Sequence, residues 1–380
     1  MKKEKFVGKI LGMALAFVLV GAMLPLGAFG TSSQVEASPG PISITGTVKT
    51  GAEGGSTALS SQRKLVATSD GHLHVVYHRE DGNGILQIYH AESSDGGATW
   101  SEEPVTNNAS NNQCFPALAI DSNNNLHLVW QDGLTGLPNQ GNVQVWYKMK
   151  TTSWGDSQLL STYAAYASIA IDSLDNCHVV YGGYSDYGGY YSFGNGIRWR
   201  EKSVEGWQSE ISISQSEAWV RAPAIAIDGN NSIHIAWLNA PRYLYYDIHY
   251  RVRTSTGWGS EVEVNAETDN ALGGFPSITI DSSNHAHIVW QHGSGSDYTI
   301  KYREYTTSLQ PTVDLEGPTN YIQYSPVIAI DSNDHIHVIW SGQHSDSPTC
   351  HQIRYREYTT SWQSIGNLTS SSSANQTNPI

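Results

Sequence analysis

The chain has 380 residues, with 35 Asp and Glu against 21 Lys and Arg and a formal net charge of −14. That balance excludes nucleic acid and acidic membrane surfaces as partners, because a polyanion is held by a basic patch that displaces its counterions. Cys114, Cys177 and Cys350 are odd in number and scattered, which gives neither a disulfide framework nor a metal-ligand spacing.

The first segment reads as a leader rather than as fold. Lys2, Lys3, Lys5 and Lys9 precede a mostly apolar run from Ile10 to Phe29, and Val35-Glu36-Ala37 fits a small-residue cleavage site. Residues 1–37 are therefore expected to be a secretory signal peptide, with an uncleaved anchor as the alternative. Residues 38–380 would then form the mature chain, extracellular or at the cell surface. It would carry 17 basic against 33 acidic residues. No later run is long enough to span a membrane.

Downstream, one pattern recurs six times: a short apolar run ends in Asp, turns, and returns through a His shortly before an aromatic. The first copy has Thr68 in place of Asp, followed by His74 and Tyr77. Asp121…His127…Trp130, Asp172…His178…Tyr181, Asp228…His234…Trp237, Asp281…His287…Trp290 and Asp331…His337…Trp340 follow, with the histidines 50 to 56 residues apart. Such a period belongs to an architecture in which no unit buries its apolar face alone. Each unit resolves into four short strands bounded by Asp-Ser-Asn turns. A Trp opens the fourth strand in five copies (Trp100, Trp154, Trp207, Trp258, Trp362), and Leu309 stands there in the other. The pattern predicts an all-β, six-bladed β-propeller of four-stranded antiparallel blades, in one domain over 38–380. The blades fall roughly at 62–110, 111–162, 163–216, 217–270, 271–320 and 321–375. Ser43–Lys49 could close the last blade, and the tail Asn375–Ile380 echoes the lead-in Asn112–Leu118, so a seven-bladed ring is the alternative.

In the first unit the turn reads Ser93-Ser94-Asp95-Gly96-Gly97-Ala98-Thr99-Trp100. It resembles the Asp-box, S-x-D-x-G-x-T-W, of sialidases and other bacterial neuraminidase repeat proteins. The resemblance implies a structural turn in which Ser93, Asp95 and Thr99 bond the backbone, Gly97 allows the bend and Trp100 packs beneath. It also implies a division of faces. The repeated turns share one face, while second-to-third strand loops and blade connections share the other, which carries the ligand site.

Recurrence separates scaffold from site. The six histidines are expected to clamp their hairpins by bonding the Asp or backbone beside a buried aromatic. The third-strand cations Arg198, Arg200, Arg251, Arg253, Arg303, Arg354 and Arg356 are expected to pair with Glu201, Glu304 and Glu357. The loops of the other face differ in every copy and are rich in aromatics, which stack on the C–H faces of sugars. Tyr187, Tyr191, Trp219, Tyr243, Tyr245 and Tyr298 are the ligand-binding candidates, and Phe115, Tyr163, Tyr166, Phe275, Tyr321 and Tyr324 lie in the blade connections. For a sialidase, the resemblance implies three arginines on the substrate carboxylate, a Tyr–Glu nucleophile pair and an Asp acid/base. Arg79, Arg221 and Arg242 are the arginine candidates, Asp81 the acid, Tyr324 (or Tyr321) the nucleophile and Glu217 (or Glu267) its base. The F/Y-R-I-P motif of that family is missing at Gln62-Arg63-Lys64-Leu65 and echoed at Val220-Arg221-Ala222-Pro223. The expected function is binding of extracellular carbohydrate by a monomer with no cofactor or metal and without the full sialidase machinery. An exo-sialidase, a polysaccharide lyase and a structural envelope protein are the alternatives.

Overall fold

The computed structural model describes residues 61–133, 143–187, 190–214, 219–242, 245–265, 272–294, 297–316, 321–345 and 347–369, together with Pro379. The leader, Ser43–Lys49 and most of the C-terminal tail lie outside the described residues. Among the described residues there is no helix, and hence none long and apolar enough to cross a membrane.

Six antiparallel blades form a six-bladed β-propeller. From the axis outward, blade one is Leu65–Ala67, Leu73–Glu80, Leu86–Ser93 and Ser101–Pro104, and blade two Gln113–Ile120, Leu126–Asp132, Gln144–Lys150 and Gln158–Thr162. Blade three is Ala164–Ile171, Cys177–Tyr187 and Tyr190–Ser203, its outer strand split into Gly206–Trp207 and Ile211–Ser212. Blade four is Trp219–Ile227, Ile233–Arg242 and Tyr245–Thr254, with Gly257–Trp258 and Val262–Glu263 outside. Blade five is Leu272–Ile280, Ala286–Ser294, Asp297–Tyr305 and Val313–Asp314, and blade six Gln323–Ile330, Ile336–His344, Ser347–Tyr358 and Gly366–Asn367. One parallel bridge, Tyr246 to Leu272, joins blades four and five.

Alternation along each strand puts apolar side chains on both blade faces, so the core lies between blades. Val66, Val76 and Ile88 of blade one meet Leu118, Leu128 and Trp130 of blade two, and four further clusters fill the junctions up to blades five and six. Trp130, Trp237, Trp290 and Trp340, equivalent residues of the second strands, are fully buried. Each contributes about 5 kcal/mol of gross burial free energy, from roughly 200 Å² at 25 cal/mol/Å².

The repeated hairpins are tied twice. Within a blade, Asp228 Oδ1 accepts the N–H groups of Asn230 and Ser232 at 2.9 and 2.7 Å, while Oδ2 faces His234 Nε2 at 3.3 Å. Tyr250 Oη meets His234 Nδ1 at 2.7 Å, and the same Asp–His–Tyr chain recurs around His127. Between blades, the N–H groups of Ser69, Ser122, Ser173, Gly229 and Ser282 each donate to the side chain of Asn124, Asp175, Asn231, Asn284 or Asp334 in the next hairpin. All five acceptors have left-handed backbones, φ 59° to 66°, a conformation that Asn and Asp tolerate best among residues with a Cβ.

The third-strand cations differ from expectation. Glu201, Glu304 and Glu357 sit on the third strands themselves, opposite His178, His287 and His337. The guanidiniums reach main-chain carbonyls instead. Arg200, Arg251, Arg303 and Arg356 each bond a carbonyl after their own blade's outer-strand turn and a second carbonyl of the preceding blade: Leu160, Ile213, Val264 and Leu315 respectively. Lys148 does the same to Val105 O at 3.0 Å. The physical reason is position: Val105, Ile213, Val264 and Leu315 follow the last outer-strand residue and Leu160 sits at a register shift, so their carbonyls face the next blade, whereas the glutamates lie beside the cations on the same strand. Arg198 does find a carboxylate, Glu210 at 2.6 Å, and Arg354 finds Glu316 at 3.2 Å.

The Ser93–Trp100 turn is closed as its sequence implies. Asp95 accepts Thr99 N–H and Oγ1 at 2.8 and 2.6 Å, Gly97 N–H donates to Ser93 Oγ at 2.8 Å, and Trp100 Nε1 donates to Gly97 O at 3.0 Å. These bonds hold the Asp95 carboxyl down at about 2. The three cysteines are free and buried.

Candidate functional site

On the face opposite the repeated hairpins, the inner strands of blades two to six begin at the axis with a defect. In blades two to six the pairing of inner and second strands slips at this point. The residue at the slip has a left-handed backbone: Phe115 (φ 52°), Tyr166 (57°), Ala222 (51°), Phe275 (37°) and Ser325 (53°). Pro116, Pro223, Pro276 and Pro326 follow four of the five, and a Pro has no N–H to give the ladder, so the strand bulges there. A non-glycine residue in this region costs about 1–2 kcal/mol, a strain that accumulates where a surface is shaped for binding.

Three of those five residues are aromatic and only partly buried. Phe115 stands between His78, at 5.6 Å edge-on, and Tyr166, at 5.7 Å, so an aromatic arc crosses blades one to three. Gln62 fixes its base: Nε2 donates to Phe115 O at 2.9 Å and to Ala167 O at 2.6 Å. Lys64, 1% exposed, donates to Gln62 Oε1 at 2.9 Å and Pro116 O at 3.0 Å. Burial lowers its amine to about 7. Burial, with the nearby Lys64 charge, lowers His78 to about 4, so that imidazole is neutral.

Arg221 occupies the position just before the bulge of blade four, its guanidinium carbon 5.4 Å from the Tyr246 ring centre. The equivalent positions hold Cys114, Ala165, Gly274 and Tyr324. Tyr324 packs edge-on against His351 at 4.9 Å, and Tyr321 lies 6.4 Å from His344. Burial raises the Tyr324 hydroxyl. Tyr298 pairs with Gly293 across the blade-five hairpin and is partly exposed.

Two other candidates are engaged elsewhere. Arg79 pairs with Glu102 at 2.8 Å and covers the Tyr89 ring at 4.0 Å, across the width of blade one. Asp81 Oδ1 accepts the N–H groups of Asn83 and Ile85 at 2.8 and 3.1 Å, which lowers its carboxyl and favours the anion that closes a turn. The side chains of Tyr187, Tyr191, Trp219, Arg242 and Tyr245, and all of Glu217, Tyr243 and Glu267, lie outside the described residues.

Sequence reading passed over Gln62 and Lys64, and also the buried Glu316–Arg354 pair, whose carboxylate takes the Trp340 indole N–H at 3.0 Å. The aromatic- or small-residue-Pro step at the start of four inner strands was the available signal for the bulges. Glu316 had none, because its partner is 38 residues away.

No family model matches the sequence, and no curated protein matches it either. Solved structures do match in shape. The leech intramolecular trans-sialidase, solved with 2,7-anhydro-Neu5Ac, superposes with a TM-score of 0.52 at 10% identity, over 82% of this chain and 70% of its own. The intramolecular trans-sialidase of Ruminococcus gnavus gives 0.51 at 10% identity, over 82% of this chain and 97% of its own. An ulvan lyase, a polysaccharide lyase bound to -[GlcA(1-4)Rha3S]-, gives 0.52 at 11%, over 82% and 78%. The chain is thus a sialidase-like six-bladed β-propeller. Its fold is shared by carbohydrate-acting enzymes of two unrelated chemistries.

Proposed function

We propose that this chain is a secreted protein that binds extracellular carbohydrate on the axial face, without the full catalytic set of a sialidase. The observation that carries the reading is the bulge ring. It builds a partly exposed aromatic surface from Phe115, Tyr166 and Phe275, while only one blade places an arginine at the adjacent position. One guanidinium can hold a single acidic or hydroxyl group, whereas gripping a carboxylate from three sides needs three. Arg79, the other described candidate, is spent on Glu102. Aromatic faces and a single cation suit a sugar chain bound along its C–H surface.

A glycan array tests this. Wild-type protein should bind a defined set of glycans, and Phe115→Ala and Tyr166→Ala should each weaken that binding about tenfold, the loss of roughly 1.4 kcal/mol of stacking. No binding on the array, or variants that bind as wild type does, would overturn the reading. Release of 4-methylumbelliferone from its sialic acid conjugate would favour the exo-sialidase instead. A second reading rests on the Tyr324–His351 contact. A Tyr and a His side by side on this face form an acid–base pair of the kind that removes the proton beside a uronic acid carboxylate. Ultraviolet-absorbing, unsaturated products from uronic acid polymers would establish it.

A further inference from the structure

Three hairpins carry a second His that a clamp does not need: His72 in blade one, His285 in blade five and His335 in blade six. In blades two and three the residue four after the Asp is Asn125 or Asn176, whose amide donates to Asp121 or Asp172 Oδ2 at 2.8 and 2.9 Å. Blade five has His285 there. Its Nδ1 lies 3.2 Å from Asp281 Oδ2 and 3.2 Å from Glu304 Oε1. His287 Nε2 faces the same Asp281 oxygen at 3.3 Å, yet makes no hydrogen bond with it. His287 is 4% exposed, and its other nitrogen is held by Tyr302 Oη at 2.7 Å. Donor atoms of Asp281, His287 and Glu304 all fall within 4.8 Å of one another.

We propose that Asp281, His287 and Glu304, with His285 set against both carboxylates, form a binding site for a divalent cation of the zinc class. A mixed set of imidazole and carboxylate donors is one such ions prefer, whereas calcium and magnesium prefer oxygen alone. The spacing fits. Ligands at about 2.0–2.1 Å from a tetrahedral zinc stand roughly 3.3 Å apart, and three of the separations here are 3.2, 3.2 and 3.3 Å. The second shell fits as well. Tyr302 fixes the His287 ring with Nε2 turned toward the carboxylates, as an outer hydrogen bond orients a ligating imidazole. Asp281 Oδ1 is meanwhile occupied by the N–H groups of Ser283 and His285, which leaves Oδ2 for the ion. Blade six repeats the residues with His335 likewise 3.2 Å from Asp331 but wider spacing elsewhere: 3.6 Å from His337 to Asp331 and 4.0 Å from His335 to Glu357. Blade one sets His72 2.8 Å from Glu92 but has Thr68 in place of the Asp, so the complete, tight set is the one in blade five, on the face away from the aromatic arc.

The test is zinc binding by full-length protein stripped with EDTA, read by competition with a chromophoric chelator and by thermal shift. Wild type should bind zinc and melt at a higher temperature with it. His285→Asn recreates the residue found in blades two and three, so it should fold, and it should bind about tenfold more weakly or worse. Glu304→Gln should do the same, and His335→Asn should leave the tight site unchanged. Failure of wild type to bind zinc, or wild-type affinity in both His285→Asn and Glu304→Gln, overturns the site. Neither result bears on glycan binding.

Discussion

Asp228 and His234 are placed by hydrogen bonds, and those bonds set how the protein meets acid. Backbone hydrogen bonds and the neighbouring imidazoles lower the carboxyls of Asp121, Asp172, Asp228, Asp281 and Asp331, while burial lowers His127, His178, His234 and His287. His74 and His78 are lowered by burial to about 4. A His whose folded value is depressed stays neutral where the unfolded chain already takes a proton. Its contribution is complete above about pH 6.5 and is lost as pH falls toward the folded value. The aspartates add a loss only below about pH 4, as they too become protonated. Unfolding free energy measured by urea should therefore decline from about pH 6.5, with His74 and His78 alone giving a slope approaching about 2.7 kcal/mol per pH unit. A flat profile between about pH 7.5 and 4.5 would contradict this assignment. The Asp–His pairing was legible in sequence because both residues belong to one hairpin, six residues apart. The pairing of His285 with Glu304 was not, because Glu304 is brought alongside from the next strand.

At the scale of the strand and its turn, the blades are joined through main-chain groups. Asn231 accepts the Ser173 N–H at 3.0 Å from a backbone at φ 59°. Replacing it with Gly removes the bond but suits the backbone, whereas Ala removes the bond and strains the turn. Asn231→Gly should cost about 1 kcal/mol, and Asn231→Ala about 1 kcal/mol more. Thermal melts should then rank wild type, Gly and Ala in that order, in steps of about 2–4 °C. Equal melting of the two variants would show that the left-handed turn carries no strain. The arginine contacts make the same point about legibility. A glutamate beside Arg303 is visible in the sequence, but the carbonyl of Val264, 39 residues earlier, becomes its partner only when two blades pack.

Across the whole ring, five junctions share a hairpin link, a third-strand cation on the preceding blade and a mixed apolar cluster. The junction between blades six and one lacks the first two among the described residues. Gly71 (φ 87°) stands where the acceptor Asn or Asp should be, and Ala91 stands at the register position of the cation. Among the described residues that seam therefore carries fewer links than the other five. A Cβ at Gly71 would meet nothing within 4 Å, and Asn accepts the left-handed region, so Gly71→Asn can supply the missing acceptor for the Ser332 N–H. The melting temperature should rise by about 2 °C, for a hydrogen bond worth about 1 kcal/mol. No rise would mean that the seam is closed by other means.

By itself the sequence determined what repeats: strand period and hairpin chemistry, and hence the six-bladed ring. Those features are local, written within some ten residues, and each recurrence reinforces the reading. Tertiary structure alone decided what is unique. It placed Phe115 against Tyr166, spent Arg79 on Glu102, turned the arginines to carbonyls and gathered two histidines and two carboxylates in blade five. Each of these depends on groups from separate strands or blades, whose distance apart is set by packing and not by spacing along the chain.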